Sequence, residues 1–117
     1  MKVLRVEPRK NPKTIDIENT LEAFQEQVGG YIEVVHLTPG IVIVCNEEGK
    51  ILNLPENRTV ISIYDGAPAE WDIICGDFII CGVDGEDFAE LTAKETAYVK
   101  KLFEDKNVFI RGRRRTR

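Results

Sequence analysis

Residues 41–45, IVIVC, restrict the possible folds more than any other segment, because all five side chains are apolar. Side chains alternate between the two faces of a strand, so a strand that is apolar throughout is typical of the inside of a sheet. Thr38-Pro39-Gly40 predicts a turn before it, and residues 31–37, YIEVVHL, predict the preceding strand. We therefore expect a hairpin whose second strand is central.

Strand patterns cover most of the remaining chain. Residues 1–7 and 13–17 alternate around a proline-containing turn, which predicts an N-terminal hairpin. Residues 46–49 predict another turn, with Gly49 at a positive φ. Residues 51–54 extend from it until Pro55, which lacks the N–H that a strand ladder needs. Further strands are predicted at residues 59–64, 71–75, 77–83 and 107–111, with a loop at residues 65–70 and a turn at residues 84–85.

Two helices are predicted from their capping residues and apolar spacing. Asn19, with Glu22 three residues later, favours the start of the first helix, and Gly29-Gly30 favours its end. Thr92 and Glu95 form the same pattern at the start of the second helix. The apolar faces consist of Leu21, Phe24 and Val28 in the first helix and of Val99, Leu102 and Phe103 in the second.

This order of elements predicts an α+β fold, because strands dominate and helices do not alternate with them. We expect a curved, mainly antiparallel sheet with an N-terminal hairpin, one helix packed across the sheet and a second, C-terminal helix. Residues 1–110 are expected to form a single domain, and residues 111–117 a basic, disordered tail.

Composition points to a soluble globular domain. The chain has 117 residues, 43% apolar and 31% charged, and no apolar run approaches the 18 residues of a membrane span. The first residues, MKVLRVEPRK, lack the apolar core of a secretory signal. We therefore expect a cytoplasmic protein, in a bacterial host cell, that does not contact membranes.

Charge is unevenly distributed along the chain. The net charge is −4, yet residues 111–117, RGRRRTR, contain five arginines. Without those five, 11 basic residues stand against 20 acidic ones, a net charge of −9. The acidic body suits a protein that opposes a basic surface, whereas the tail alone suits phosphate or nucleic acid.

The usual catalytic and metal-binding patterns do not occur in the sequence. The single histidine, His36, sits within a predicted strand between Val35 and Leu37, where no neighbour can orient an imidazole. Three cysteines in apolar runs, without a CxxC pair, predict buried, reduced thiols. No phosphate-binding glycine loop is present. We expect no catalytic residues, no bound metal and no cofactor, and a hydrolase ranks last.

A group of polar residues remains as a candidate ligand site. It consists of Tyr31, Glu33, Asn46, Asn53, Asn57 and Arg58. Asparagine amides both donate and accept hydrogen bonds, and an arginine fork suits phosphate or carboxylate, so the set fits a polar small molecule. The alternative is that Asn57 and Arg58 cap their own loop through backbone hydrogen bonds.

Three motifs in order carry a family resemblance: residues 29–33, GGYIE; residues 46–50 with 54–58, NEEGK and LPENR; and residues 76–78, GDF, with Gly82. Over about residues 1–96 the chain resembles a small domain of unknown function. That family is carried by bacteriophages and by conjugative or other mobile elements of Gram-positive and gut bacteria. The last residues, NVFIRGRRRTR, depart from the family pattern.

The resemblance implies an anti-defence role for the chain. Small proteins of mobile elements often bind a host defence protein or sequester a nucleotide-derived immune signal. The first hypothesis is therefore a non-enzymatic binder of a nucleotide-like molecule, acting as a homo-oligomer because a small domain builds a deep pocket most easily between subunits. The second is an acidic inhibitor or DNA mimic that targets a host defence protein. The third is a nucleic-acid-binding accessory protein that uses the arginine tail.

Overall fold

The structure is a computed structural model, which describes residues 1–64 and 67–111 apart from the side chains of residues 64, 68 and 69. The strands are β1 (Lys2–Val6), β2 (Lys13–Asp16), β3 (Ile32–Thr38), β4 (Ile41–Asn46), β5 (Glu56–Tyr64), β6 (Ala67–Cys75), β7 (Phe78–Asp84), β8 (Asp87–Ala89) and β9 (Asn107–Arg111). The helices are α1 (Leu21–Val28) and α2 (Ala93–Leu102). Mostly antiparallel strands with two helices fit the α+β class.

The larger of two sheets has six strands in the order β2-β1-β7-β4-β3, with β8 beside the end of β7. All its pairings are antiparallel. β1 and β2 form the expected N-terminal hairpin, and β3 and β4 form the second hairpin. β4 lies between β7 and β3, and all six of its residues are buried. The prediction of a central strand is confirmed.

The strands β6, β5 and β9 form a separate sheet, in which β6 is antiparallel and β9 parallel to β5. The prediction of one curved sheet is therefore wrong, because the strands form two sheets. The reason lies between β4 and β5, where residues 47–53 form turns. The N–H of Leu52 donates to the carbonyl of Glu48 at 2.9 Å, and the N–H of Leu54 donates to that of Gly49 at 3.0 Å. These local bonds lead the chain out of the large sheet.

The same turns correct two further predictions. Residues 51–54 are not a strand, and the side chains of Ile51 and Leu52 are 78% and 54% exposed. Gly49 is not among the residues with positive φ; the left-handed residue of these turns is Asn53, with a φ of 55°. Glycine is required at position 49 for another reason, because a Cβ there would lie 2.8 Å from the carbonyl oxygen of Cys75.

The large sheet is covered on both faces. One face carries α1 and the smaller apolar cluster, which consists of Val3, Phe24, Val42, Val44, Ile79 and Cys81. The other face carries α2 and the small sheet. Their cluster includes Leu4, Val6, Ile43, Val60, Ile74, Phe78, Ile80, Val99, Phe103, Val108 and Ile110. Burial on both faces explains why β4 and the first five residues of β7 have no exposed side chain.

The helix ends match the predicted positions with one exception. Thr92 and Glu95 form the expected capping box of α2, and Gly29 ends α1 with a φ of 78°. The first helix, however, is capped by Thr20, whose hydroxyl accepts from the N–H of Ala23 at 3.2 Å. Asn19 instead donates to the carbonyl of Phe88 at 3.0 Å. The prediction of an Asn19 cap is wrong by one residue, because a tertiary hydrogen bond engages that side chain.

The predicted loop at residues 65–70 is also corrected. Ala67 to Glu70 belong to β6, which is an edge strand and therefore tolerates a proline. Residues 65 and 66 lie outside the described residues. Strand β9 was expected, whereas β8 was not. Of the predicted tail, only Arg111 is described, as the last residue of β9; residues 112–117 lie outside the described residues.

Candidate functional site

The six candidate residues do not form one site. Asn57 and Arg58 line a cleft beside the turn between β1 and β2. Asn46 lines two hollows at the other side of the turns 47–53, one shared with Tyr31 and one shared with Glu33. Asn53 lies in those turns and lines none of these three cavities. The predicted set thus divides into a cleft around Arg58 and two hollows around Asn46.

The side chain of Arg58 is only 3% exposed and holds several chain segments together through hydrogen bonds. We call Arg58 and its neighbour Asn57 the Arg58 clamp. The Nε and Nη2 of Arg58 donate to the carbonyl of Phe103 at 3.0 and 2.9 Å, and Nη2 also donates to that of Lys10 at 2.6 Å. Its Nη1 donates to the carbonyl and to Oδ1 of Asn57 at 3.2 and 2.8 Å. A guanidinium has five N–H donors, so these bonds engage all of them. Burial lowers the pKa of Arg58, yet an arginine keeps its charge in proteins.

Asn57 completes the clamp from the neighbouring position. It is 2% exposed, and its Nδ2 donates to the carbonyls of Val6 and Gly76, both at 2.9 Å. Together the two side chains join β1, the turn after it, the start of β5, the turn before β7 and the C-terminal end of α2. Most of these contacts are made with backbone carbonyls of segments distant in the chain, and they engage every N–H of Arg58.

The cleft next to this clamp has a volume of about 510 Å³. Its lining residues are Pro8, Arg9, Lys10, Asn11, Pro55, Glu56, Asn57, Arg58, Glu104 and Lys106. Four of them are cationic and two are anionic, although the whole chain is acidic. Among the described residues, Lys10 and Lys106 contact carboxylates only at long range, 3.7 Å to Glu7 and 3.8 Å to Glu56. Such exposed pairs are weak, so both ammonium groups remain available.

Arg9 is one of three cationic cleft residues that sequence reasoning missed, together with Lys10 and Lys106. Its φ is 61°, in the left-handed region that an arginine rarely adopts. It makes no ion pair with another described residue within 4 Å. Its sequence context, Pro8-Arg9-Lys10-Asn11-Pro12, indicated only a turn. A strained conformation that presents a cation to a cleft is the kind of backbone outlier that clusters at binding sites.

Asn46, at the centre of the second location, has a structural role. It is 6% exposed; its Nδ2 donates to the carbonyl of Val28 at 3.1 Å, and its Oδ1 accepts from the N–H of Glu48 at 2.8 Å. It thereby joins the end of α1 to the end of β4. A Cβ on Gly30 would lie 3.0 Å from its Nδ2, which explains the small residue there. Tyr31, at 68%, and Glu33 are exposed beside it.

A model of one protein family matches residues 1–104, and that family is described as a domain of unknown function, DUF3846. The chain belongs to the DUF3846 family. Recognition of a domain-of-unknown-function family is therefore confirmed, while its carriage by mobile elements stays a prediction. No curated protein and no solved structure matches the chain.

The thiols of this DUF3846 domain are poor nucleophiles. All three cysteines are free and buried, as predicted. The pKa values of Cys45 and Cys81 are raised to about 12, by burial in both and also by the carboxylates of Glu33 and Asp72 in Cys45.

His36 is exposed on β3 opposite Val42, and β3 and β4 pair at that point. Within the described residues, no group of three or more histidines, cysteines and carboxylates could hold a metal ion. None of the described helices is long and apolar enough to cross a membrane.

We expect Cys45 and Cys81 to resist alkylation in the folded chain. At pH 8 the thiolate fraction of a thiol with a pKa of about 12 is about a thousandfold smaller than that of an unfolded cysteine with a pKa of about 8.5. Iodoacetamide labelling followed by peptide mass spectrometry should therefore leave both unmodified until a denaturant is added. Because the folded pKa is raised, these thiols support folding below about pH 8.5 and lose that contribution as the pH rises towards 12. Rapid labelling of either thiol in the native chain would contradict their burial.

Proposed function

We propose that this DUF3846 domain is a non-enzymatic protein that binds an anionic, nucleotide-like small molecule in the cleft beside the Arg58 clamp. The observation that carries the proposal is the cationic lining of a cleft of about 510 Å³ in a chain of net charge −4. Ligand pockets commonly have volumes of about 300 to 1,000 Å³. Oppositely charged groups at such a cleft attract an anion and fix its orientation.

Within this cleft, Arg9, Lys10 and Lys106 are the proposed ligand contacts. A guanidinium can hold a phosphate with two parallel hydrogen bonds, and the ammonium groups add point charges. The Arg58 clamp serves as the rigid support of the cleft, because its donors are already engaged by backbone and Asn57 acceptors. Glu56 and Glu104, which also line the cleft, can accept hydrogen bonds from a sugar or a base.

The proposal is one of binding without turnover, because the thiols are protonated and His36 lies opposite an apolar residue. Combined with the resemblance to proteins of mobile elements, it suggests sequestration of a nucleotide signal of host defence. The nucleic-acid alternative rests on arginines that lie mostly outside the described residues, so it stays a prediction. Homo-oligomer formation and a cytoplasmic location are likewise proposals.

A ligand panel tests the proposal directly. We would measure thermal shift and calorimetry with cyclic dinucleotides, ADP-ribose and its cyclic forms, nucleoside mono- and triphosphates and inorganic phosphate. Nucleosides without phosphate serve as matched controls. We expect a shift with at least one phosphorylated compound, weakened by salt, and none with its nucleoside. A folded chain that ignores every phosphorylated compound at millimolar concentration would sink the proposal.

The variant Arg9→Gly should separate binding from stability. Glycine adopts a φ of 61° without a Cβ clash, which relieves strain in the folded chain. Glycine also gives the unfolded chain greater conformational freedom, which offsets part of that gain. The free energy of unfolding should therefore stay level or rise by up to about 1 kcal/mol. Loss of the guanidinium should weaken binding of the phosphorylated ligand about tenfold. Urea unfolding and calorimetry measure the two effects.

Asn53→Gly is the control for Arg9→Gly. Asn53 has a similar φ of 55° but lies outside the cleft, and asparagine tolerates this region well. Its replacement should change neither the free energy of unfolding by more than about 0.5 kcal/mol nor the ligand affinity. Unchanged affinity in Arg9→Gly would remove Arg9 from the proposed site.

A further inference from the structure

Six large apolar side chains lie exposed on the small sheet, in the turns 47–53 and at position 31, and we call them the apolar stripe. They are Tyr31, Ile51, Leu52, Trp71, Ile73 and Phe109. Trp71 is 76% exposed and Ile51 is 78% exposed, although both side chains are among the most costly to leave in water. Single exposed apolar residues need no explanation, whereas a contiguous group of them marks an interaction surface.

The turns 47–53 connect one half of the stripe. Ile51 and Ile73 line the same hollow, of about 290 Å³. Leu52 and Tyr31 line the neighbouring hollow, of about 250 Å³. Asn46 lines both hollows, which places them side by side. These four apolar side chains therefore border two adjoining hollows beside the turns.

The outer face of the small sheet extends the apolar stripe. Trp71 and Ile73 are two residues apart on β6 and so share one face. Ile61 of β5 pairs with Trp71 on one side and with Phe109 of β9 on the other. Ile61 is only 6% exposed, since the two aromatic side chains flank it. The stripe thus runs from Phe109 across the small sheet to the turns and on to Tyr31.

The rim of the two hollows is acidic. Glu33, Glu47, Glu48 and Asp72 line it, and the one cation at these two cavities, Lys50, is 3.2 Å from Asp72. At this end of the stripe, the acidic rim would repel anionic lipid head groups, which argues against a membrane surface there. Two copies of the chain would bring their acidic rims together, which argues against a dimer through this face.

We propose that the apolar stripe docks a partner protein through a segment whose apolar side chains are flanked by lysine or arginine. Apolar residues of the partner would cover Trp71, Ile73 and Ile51, and its cations would meet the acidic rim. Aromatic side chains at the centre of such a surface carry much of the binding energy, and charges at the rim set partner choice. This surface is distinct from the cationic cleft, and its test is independent of the nucleotide proposal.

Three synthetic helical peptides of about 18 residues test this proposal. One has leucines on one face and lysines on the other, the second has leucines and glutamates, and the third has serines and lysines. We expect the leucine–lysine peptide to bind the full chain at least about tenfold more tightly than either other peptide. The chain has a single tryptophan, so a blue shift of Trp71 fluorescence reports burial of the stripe directly.

Matched variants locate the binding surface, with peptide fluorescence anisotropy as the readout. Ile51→Ser with Trp71→Ala should weaken the leucine–lysine peptide about tenfold or more. Tyr98→Ser removes a half-exposed aromatic side chain from α2, outside the stripe, and should change nothing. The proposal would be overturned if all three peptides bound with equal affinity. It would also be overturned if Tyr98→Ser weakened the leucine–lysine peptide as much as Ile51→Ser with Trp71→Ala does. A dimer in sedimentation that Trp71→Ala converts to a monomer would overturn it too, because a second copy would then cover the stripe.

Discussion

Replacement of Arg58 by alanine should lower the free energy of unfolding by about 3 to 5 kcal/mol. The guanidinium is the donor for the carbonyls of Phe103 and Lys10 and for both oxygens of Asn57. Alanine would leave these acceptors without that donor in a region where the side chains of Asn57 and Arg58 are almost fully buried. The C-terminal end of α2 would also lose the cation that contacts the carbonyl of its C-cap residue, Phe103. Urea unfolding of the purified variant measures the loss.

Arg58→Lys separates the charge from the hydrogen-bond fork. An ammonium keeps the positive charge, but its three donors on one atom cannot span Phe103, Lys10 and Asn57 at once. We expect a loss of about 1 to 3 kcal/mol. Arg111→Ala, on an exposed strand residue, is the control and should stay within about 0.5 kcal/mol of the parent chain.

The same pair of variants distinguishes a clamp from a ligand anchor. A ligand anchor would be replaced by lysine with little effect on stability and with a direct loss of ligand affinity. If Arg58 is a clamp, Arg58→Lys should lower the free energy of unfolding. The molecules that remain folded should keep the ligand contacts of Arg9 and Lys106. If Arg58→Ala unfolds at the same urea concentration as Arg111→Ala, the guanidinium does not hold these segments together.

Local patterns predicted the elements whose physics is local. The apolar run 41–45 could only be a strand covered on both faces, and β4 is one. The Thr92–Glu95 box depends on residues three positions apart, so its capping geometry follows from the sequence alone. The first helix shows the limit, because Asn19 and Thr20 are both good caps. A hydrogen bond from Asn19 to Phe88, far along the chain, decides between them.

The division into two sheets depends on contacts that the sequence does not signal. β5 pairs in parallel with β9, and the two strands are separated by more than forty residues of chain. Residues 51–54, ILNL, resemble a strand by their apolar positions, yet the N–H groups of Leu52 and Leu54 form turn hydrogen bonds instead. The exposed positions of Ile51 and Leu52 follow from that choice, so the apolar stripe could not be predicted from alternation.

Two of the six predicted site residues line the cleft, whereas ligand binding by any of the six stays a prediction. Asn57 and Arg58 are the polar groups that follow the proline break, and both line the cleft of about 510 Å³. Their contacts follow from burial and from backbone carbonyls that are distant in the chain, which no single-sequence pattern gives. Arg9 could not be predicted, since nothing in an arginine indicates a φ of 61°.

Phe103→Ala should have a comparably large effect on stability, about 3 to 5 kcal/mol. The ring of Phe103 is fully buried between α2 and the large sheet, and its centroid lies 5.9 Å from that of Phe78 in an edge-to-face contact. Alanine would remove this contact and leave a cavity that the surrounding strands can only partly fill. Because alanine keeps the backbone carbonyl that accepts from Arg58, the variant tests core packing with the clamp acceptor still present.

Phe109→Ala is the matched control for this prediction, as the same side chain is removed from β9 where it is half exposed. Its cost should be below about 1 kcal/mol, because little apolar area returns to water and no closed cavity forms. Phe103→Leu should fall between the two, at about 1 to 2 kcal/mol, since leucine fills part of the space. Urea unfolding of the three variants checks the order. Equal losses for Phe103→Ala and Phe109→Ala would show that α2 does not close the core of the large sheet.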